Sequence, residues 1–282
     1  MPTFRNVAVV GVGLIGGSIG LALRERGLAG EVIGVGRRQV SLDKALSCGI
    51  LDRATTDLAE GVRSAEIVVV ATPVSSIIQD VCLAVGANSE SALITDAGST
   101  KATICAGVEQ QLGNQAGRFV GSHPLAGDHR SGPEYARANL LDGKHVVVTP
   151  TEKTPSATME RVQEFWKSLG AEVIEMSPEQ HDLALASTSH LPHLVASTLV
   201  GSTPDEWLEL AATGWADTTR LAAGNPELWT QILSQNTPAV LAALDRFVAQ
   251  LETVRTGLAA ADWTQVTDFL EHAKRTRDAL GN

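Results

Sequence analysis

The stretch that decides the fold runs from Val7 to Leu23 and reads VAVVGVGLIGGSIGLAL. Its first four residues are apolar, which is typical of a short buried strand, and glycines follow at positions 11, 13 and 16 in the spacing G-x-G-x-x-G. In such a unit the first glycine permits a tight turn, the second lets a pyrophosphate approach the backbone, and the third lets a helix, predicted from Ser18 to Arg26, pack on the strand. The amides at the start of that helix would face the phosphates. The pattern therefore predicts a dinucleotide-binding site.

A secretory signal peptide is the alternative for this stretch. It is rejected because the apolar run leads straight into Arg24, Glu25 and Arg26 without a small-residue cleavage site.

The composition sets limits on the class of protein. The 282 residues are enough for one large or two modest domains, and 44% hydrophobic with 19% charged residues is typical of a soluble globular protein. No apolar run is long enough to span a membrane. A net charge of -10 argues against a nucleic acid as partner. Three scattered cysteines without a C-x-x-C pair favour a reducing, cytoplasmic location.

Short apolar segments alternate with helical segments over the first 176 residues. The predicted strands are 7–10, 31–35, 67–71, 92–95, 119–121, 145–149 and 171–176, and 51–53 is predicted as a connection. This alternation predicts an α/β fold, a Rossmann-type doubly wound parallel sheet. Beyond Pro178 only helical patterns follow, including one from 205 to 213. We therefore predict a dinucleotide-binding domain at 1–176 and an all-helical substrate and dimerisation domain at 177–282.

The helical region contains one long amphipathic stretch, 226–258, which Pro238 should kink or break. Its apolar positions recur at three- and four-residue steps and comprise Leu241, Leu244, Val248, Leu251, Val254 and Leu258. Either an intramolecular core or a second subunit could bury this stripe.

The end of the second predicted strand indicates which nicotinamide cofactor is used. NAD-binding folds place an acidic residue there for the ribose 2′-hydroxyl, whereas this chain has Gly36, Arg37 and Arg38. Two guanidiniums without a carboxylate favour NADP, with NAD as the alternative, unless the arginines are solvated loop charges. The predicted cofactor-binding residues are Gly11, Gly13, Leu14, Ile15, Gly16, Arg37, Arg38, Thr72 and Pro73.

Four side chains are candidates for chemistry. His123, at a strand end before a proline, could be a general base, although a single histidine is more often structural. Ser99 could orient that imidazole or a substrate hydroxyl, and could also cap a helix. His193, three residues after His190, favours substrate contact over packing at a helix start; no carboxylate or cysteine completes a metal site, so no metal is predicted. Arg220 suits a carboxylate, or an internal salt bridge with Asp217 or Glu227.

Six motifs together resemble the prephenate and arogenate dehydrogenase family of tyrosine biosynthesis. In chain order they are GVGLIGGS (11–18), DAGSTK (96–101), GSHPLAG (121–127), SHLPH (189–193), GWADTTR (214–220) and NPELW (225–229).

The resemblance implies an oxidative decarboxylation in which a cyclohexadienol loses hydride to NAD(P) and loses CO₂, so that the ring becomes aromatic. It implies that His123 accepts the proton of the substrate hydroxyl and that Ser99 holds both His123 and that hydroxyl. Arg220 would bind a substrate carboxylate, His193 would line the same pocket, and Lys101 would support the site as a further substrate-binding residue. It also implies a homodimer; inhibition by tyrosine, if present, would act at the active site or the subunit interface.

One position departs from the family's pattern. Many relatives have an acidic residue two positions after the HPLAG glycine, where this chain has His129 preceded by Asp128. A carboxylate there would pair with the amine of arogenate, and a histidine would not, although Asp128 could substitute. We therefore expect prephenate as substrate, with arogenate as the alternative and His129 as a substrate-binding residue.

Two other functions are considered. A β-hydroxyacid dehydrogenase would need a lysine base on a helix after the sheet, and no lysine lies between Lys167 and Lys274. A non-catalytic NADP-binding sensor would keep the fold without the chemistry, and the presence of Ser99, His123 and Arg220 together argues against it.

Overall fold

The computed structural model describes residues 2–128 and 130–281. His129, one of the predicted substrate-binding residues, lies outside this part of the chain. The strands are β1 (Phe4–Val10), β2 (Ala29–Val35), β3 (Arg53–Thr55), β4 (Ile67–Val70), β5 (Leu93–Asp96), β6 (Phe119–Pro124), β7 (His145–Thr149) and β8 (Glu172–Glu175). The helices of the first half are α1 (Leu14–Glu25), α2 (Gln39–Ser47), α3 (Leu58–Val62), α4 (Val74–Ala87), α5 (Ala102–Leu112) and α6 (Ser156–Ser168).

The second half, residues 177–281, consists of helices joined by short connections, and the described residues there form no strand. Its α-helices are α7 (Pro178–Leu185), α8 (Leu191–Ser202), α9 (Thr213–Thr219), α10 (Pro226–Gln235), α11 (Thr237–Ala259) and α12 (Trp263–Asp278). A π-helical turn (Ala186–His190) joins α7 to α8, and short 3-10 helices cover Asp205–Leu210 and Arg220–Ala223. The segment predicted as a helix from 205 to 213 is therefore shorter and 3-10 in form.

The strands form one sheet in the order β3-β2-β1-β4-β5-β6-β7-β8. The first six strands in this order, from β3 to β6, run parallel, as predicted. The chain adds strands in one direction from β1 to β3 and in the other direction from β4 onward, so the strand order reverses between β1 and β4. In open α/β sheets a ligand binds at such a reversal, outside the carboxyl ends of the strands. This topology places the glycine-rich turn after β1 at the expected binding edge.

One pair of strands departs from the predicted parallel sheet. β7 runs antiparallel to β6, with His123 opposite Val147, and β8 then continues parallel to β7. The physical reason is the connection: a parallel return requires a long crossover, usually a helix, and the described residues between β6 and β7 contain only a 3-10 turn at Pro133–Tyr135. The segment 51–53, predicted as a connection, leads into the short edge strand β3.

The sheet is buried on both faces, so its strands are apolar at consecutive positions. Val7 and Val9 pack on one face with Phe165 and Trp166 of α6, whereas Ala8 and Val10 pack on the other face with helices α3 to α5. The glycines fit this packing. A Cβ at Gly16 would lie 2.0 Å from the carbonyl oxygen of Gly11, so α1 approaches β1 as closely as predicted; the helix starts at Leu14, earlier than expected.

The predicted break in the long helical stretch is confirmed. Helix α10 ends at Gln235, and α11 begins at Thr237 with Pro238 in its first turn, where a missing amide costs nothing. The stripe on α11 is only partly covered by the described residues, since Leu241, Val248, Leu251 and Leu258 are each about half exposed, whereas Leu244 and Val254 are partly buried. Packing within the described chain therefore accounts for only part of it. Among the described residues no helix is long and apolar enough to cross a membrane.

Candidate active site

The carboxyl ends of β5 and β6 are tied together by a buried ion pair. The Asp96 carboxylate accepts hydrogen bonds from the Ser122 amide (2.9 Å), the Gly98 amide (2.9 Å) and the Lys101 ammonium, and Lys101 also donates to the Ser122 carbonyl oxygen (2.8 Å). Asp96 and Lys101 have no exposed surface. These contacts fix the backbone immediately before His123.

This placement corrects the prediction for Lys101. Its ammonium is enclosed by Asp96 and the Ser122 carbonyl, so it is not available to a substrate in this structure. Its contribution is to hold the strand end that carries His123.

The helix-capping prediction for Ser99 is also wrong. Helix α5 begins at Ala102, and the amides of Lys101 and Ala102 donate to the Asp182 carboxylate at 2.8 and 3.0 Å, so Asp182 satisfies the start of this helix from the other half of the chain. Ser99 lies partly buried in the turn between β5 and α5. Within the described chain its hydroxyl has no hydrogen-bond partner, and the expected contact with His123 is not made.

His123 lies within β6 and is partly exposed. Its Nδ1 is 2.8 Å from Nε2 of His181, and Nδ1 of His181 is 2.7 Å from Oδ1 of Asp182. His181 and Asp182 are buried on α7, which a Ser177 capping box starts. Burial, the neighbouring His181 and the Lys101 ammonium hold the pKa of His123 well below its usual range. His123 is thus neutral at physiological pH, as a general base must be.

Sequence reasoning missed His181 and Asp182. Their partners are 58 and 81 residues away along the chain, and a His-Asp dipeptide in a helical stretch has no distinctive spacing. The only local signal is the S-P-E-Q helix start just before them, which predicts the helix but not its contacts.

A second set of buried rings continues this network into the helical half. The Asn236 amide donates to the Asp182 backbone carbonyl (2.8 Å) and lies 3.2 Å from Nδ1 of His190. His190 meets the edge of Trp229, and the ring of His193 stacks on Trp229 with 3.7 Å between centroids. His193 is buried, and its Nδ1 has no hydrogen-bond partner among the described residues. An unpaired buried nitrogen is a position where a bound molecule would complete a hydrogen bond.

Arg220 begins the 3-10 turn that packs against α8, the helix of His193. It is exposed and forms no ion pair with any described residue, so the alternative of a salt bridge to Asp217 or Glu227 is not observed. The guanidinium is therefore available to an anion.

Asp128 follows the GSHPLAG motif and is already paired with cations. Its carboxylate lies 2.9 Å from Arg130 and 3.7 Å from Arg137. Arg130 in turn stacks over the Tyr135 ring. The Asp128 charge is thus compensated within the same loop.

A groove of about 690 Å³ follows the carboxyl ends of β1, β2 and β4. Of the predicted cofactor residues, Gly11, Gly13, Arg37, Arg38, Thr72 and Pro73 line it. A Cβ at Gly13 would meet nothing within 4 Å, so a ligand can approach the backbone there, whereas one at Gly11 would lie 2.6 Å from the Ala71 carbonyl oxygen. Leu14, Ile15 and Gly16 lie in the first turn of α1, where amides lack helical partners. These residues fit a dinucleotide.

Several groove residues were not predicted. Asp80 accepts a hydrogen bond from the Thr72 hydroxyl (2.7 Å), and burial raises the pKa of its carboxyl, opposed by Thr72 and the Arg37 charge. Lys44 contributes a third cation, at 2.5 Å from Glu134 in the loop after His123. These side chains reach the groove from helix faces and from a long loop, for which the sequence has no periodic signal.

His190 makes the stability of this region dependent on pH. Burial lowers its pKa from 6.5 to about 4, opposed by Asp182. The unfolded chain therefore binds a proton that the native protein does not, and the free energy of unfolding should fall as the pH drops from 6.5 to about 4. The check is urea unfolding of His190→Gln over this range: the difference from wild type should shrink towards low pH, whereas the exposed-site control His272→Gln should follow wild type. A constant difference would contradict the assignment.

Comparisons with known proteins show the family to which the fold belongs. Two family models match consecutive parts of the chain: "Prephenate dehydrogenase, nucleotide-binding domain" over residues 19–175 and "Prephenate dehydrogenase, dimerization domain" over residues 177–273. Prephenate dehydrogenase of Bacillus subtilis is 34% identical over 98% of this chain and 76% of its own length.

Two solved structures are similar over nearly their whole length. Prephenate dehydrogenase from A. aeolicus, in complex with hydroxyphenyl propionate and NAD+, is 33% identical with a TM-score of 0.90, covering 98% of each chain. Synechocystis arogenate dehydrogenase is 31% identical with a TM-score of 0.84, covering 98% of this chain and 100% of its own.

Proposed function

The chain belongs to the prephenate dehydrogenase family of NAD(P)-dependent oxidoreductases, and on that premise we propose that it converts prephenate to 4-hydroxyphenylpyruvate with NADP as hydride acceptor. The observation that carries this proposal is His123: a neutral imidazole at the carboxyl edge of β6, held by His181, in the strand whose following loop reaches the cofactor groove at Ser131–Glu134. Arogenate dehydrogenase is the alternative function.

The bound nicotinamide would accept the hydride from the ring carbon that bears the hydroxyl. His123 Nε2 would accept the hydroxyl proton as the carbonyl of the transient dienone forms. Loss of CO₂ from the opposite ring carbon then leaves its electron pair in the ring, which becomes aromatic as a phenolate. The proton taken up by His123 returns to the phenolate oxygen and gives the phenol. Ser99, whose hydroxyl has no partner among the described residues, would bind the reacting oxygen. The chain's own residues therefore contribute positioning and proton transfer.

Arg220 and His193 would bind the far end of the substrate. The exposed guanidinium suits bidentate capture of a carboxylate. The unpaired Nδ1 of His193, three helix positions after His190, would contact the same molecule. Both residues belong to the helical half, whereas His123 belongs to the sheet. A substrate bound between the two halves would contact all three residues.

The state of Asp128 favours prephenate over arogenate. An amine on the substrate needs an uncompensated carboxylate, whereas Asp128 already pairs with Arg130 and Arg137. Prephenate carries a keto group at that position and needs no such partner. The likeness to Synechocystis arogenate dehydrogenase supports the alternative, and His129 lies outside the described residues.

The choice of NADP rests on the cations of the groove. Arg37, Arg38 and Lys44 line it, and the end of β2 carries Gly36 where NAD-binding folds have an acid. The double variant Arg37→Ser/Arg38→Ser should lose at least one charge-assisted hydrogen bond of about 1.5–3 kcal/mol to a 2′-phosphate. We expect kcat/KM for NADP to fall roughly 10- to 100-fold, with little change for NAD.

Initial rates with both cofactors check this prediction. Arg63→Ser, at an exposed arginine outside the groove, is the matched control and should behave as wild type. A loss of equal size for NADP and NAD would contradict recognition of the 2′-phosphate.

We also propose that the chain divides at residues 176 and 177 and forms a homodimer through its helical half. The half-exposed stripe on α11 and the likeness of 177–273 to a dimerisation domain support this. The unpaired cysteines, Cys48, Cys82 and Cys105, are compatible with a cytoplasmic location. Inhibition by tyrosine remains a prediction and would act at the substrate site or the dimer interface.

Product analysis tests the proposed function. Purified protein with prephenate and NADP should release 4-hydroxyphenylpyruvate, CO₂ and reduced nicotinamide in equal amounts. Reduced nicotinamide without CO₂ would indicate a different alcohol dehydrogenase, and no reduced nicotinamide would leave the sensor function.

A further inference from the structure

We propose that Asp182 and His181 act as a proton relay behind His123: they fix its Nε2 as the basic atom and then take over the proton that it removes from the substrate. Both are positioning residues for the reaction. The proposal rests on the proposed function, because it presupposes that His123 is the base.

The relay begins at an ionised acceptor. Asp182 receives the Lys101 amide at Oδ1 (2.8 Å) and the Ala102 amide at Oδ2 (3.0 Å), at the start of α5. Both carboxylate oxygens thus accept hydrogen bonds from backbone N–H groups. Oδ1 is also 2.7 Å from Nδ1 of His181, and a carboxylate can only accept. Nδ1 of His181 therefore carries a hydrogen.

The tautomer of His123 follows from that of His181. A neutral imidazole has one N–H, so with Nδ1 protonated the Nε2 of His181 is an acceptor. Nδ1 of His123 lies 2.8 Å from this Nε2 and must donate to it. The remaining nitrogen of His123, Nε2, then has a free lone pair. The partly exposed ring thus presents to the substrate the form that can accept a proton.

The surrounding charges favour passing the proton inward. The groups facing the two rings are the Lys101 ammonium with its partner Asp96, the neutral His190 and Asp182. Burial lowers the pKa of both imidazoles, but only His181 is hydrogen-bonded to a carboxylate, which raises its pKa in opposition. A positive charge is therefore more stable on His181 than on His123.

The proton transfers balance without any redox change in the relay. The substrate O–H bond breaks as an N–H bond forms at Nε2 of His123. The Nδ1–H bond of His123 then breaks as an N–H bond forms at Nε2 of His181. His123 ends neutral, protonated at Nε2, and His181 ends as an imidazolium paired with Asp182. Reversal of both transfers then returns the proton to the phenolate oxygen and restores the starting tautomers.

Two variants of His181 separate its functions. His181→Gln keeps an acceptor oxygen for His123 but cannot hold the proton, whereas His181→Phe removes both. We expect kcat to fall roughly 10-fold in the first and 100-fold or more in the second, with KM for NADP unchanged. In His181→Gln the acid limb of the pH profile of kcat should move to lower pH. The reason is that the inactivating proton can then bind only to His123, which is less basic than His181.

His272→Gln is the control, since it alters an exposed histidine on α12 outside this network. It should leave the acid limb unmoved. An unchanged acid limb in His181→Gln, or an equal shift in the control, would overturn the relay.

Nitrogen-15 NMR of labelled histidine tests the tautomers without turnover. In wild-type protein the His123 Nδ1 should be protonated and Nε2 unprotonated, and His181→Gln should retain this pattern. A protonated Nε2 in neutral wild-type His123 would overturn the proposal. If no substrate is oxidised while the tautomers are as stated, the proposed function fails and the locked tautomer stands.

Discussion

Replacing His123 by asparagine should lower kcat with prephenate by about 10²- to 10⁴-fold, the usual contribution of a general base. Asparagine keeps polar atoms near the same place but cannot accept a proton at physiological pH. The groove is lined by other residues, so the affinity for NADP should be unchanged. Steady-state rates and cofactor binding by titration calorimetry measure the two quantities.

A control variant and two alternative outcomes decide how this experiment is interpreted. His272→Asn, an exposed histidine on α12, is the control and should retain full activity. If His123→Asn also kept most of its turnover, His123 would not be the base, and the contacts with His181 would be structural only. Loss of NADP binding together with turnover would instead indicate a folding defect.

Replacing Arg220 by glutamine should lower kcat/KM for prephenate roughly 10- to 100-fold, mainly through KM. Hydrogen bonds to a charged group contribute about 1.5–3 kcal/mol, and glutamine loses both the charge and the bidentate geometry. Arg220 makes no ion pair with the described residues, so its removal should leave no buried carboxylate unpaired. The free energy of unfolding should therefore change little.

The charge and the fork geometry of Arg220 can be separated. Arg220→Lys retains the charge alone and should recover part of the affinity. Arg275→Gln on the exposed face of α12 should resemble wild type. A fall in kcat with unchanged KM in Arg220→Gln would contradict a role in substrate binding and would place the arginine near the reacting atoms.

The sheet was predictable where single strands carry their own signal. The apolar runs of β1 and β4 are buried on both faces, so consecutive valines identify them without knowledge of their neighbours. β3 is three partly buried residues at the sheet edge and has no such run. The direction of β7 depends on the path of the chain after His123, and nothing in the β7 sequence encodes it.

The candidate site was predictable to the same extent. His123 lies at the end of a strand and Arg37 follows one, and residues at the carboxyl ends of parallel strands meet at one edge. Their supporting partners come from distant helices. Asp182 reaches α5 across 80 residues, and Lys101 turns into the core although it is two residues from the partly buried Ser99. Such contacts depend on how the two halves pack, which local sequence does not specify.

The most direct test of the central claim is a set of four initial rates, in which prephenate and arogenate are each combined with NADP and NAD while reduced nicotinamide is followed by its absorbance. Prephenate with NADP should give the highest kcat/KM of the four. Faster turnover of arogenate would contradict the substrate assignment, and faster turnover with NAD would contradict the role of Arg37 and Arg38. Absence of turnover in all four combinations would contradict the enzymatic function itself.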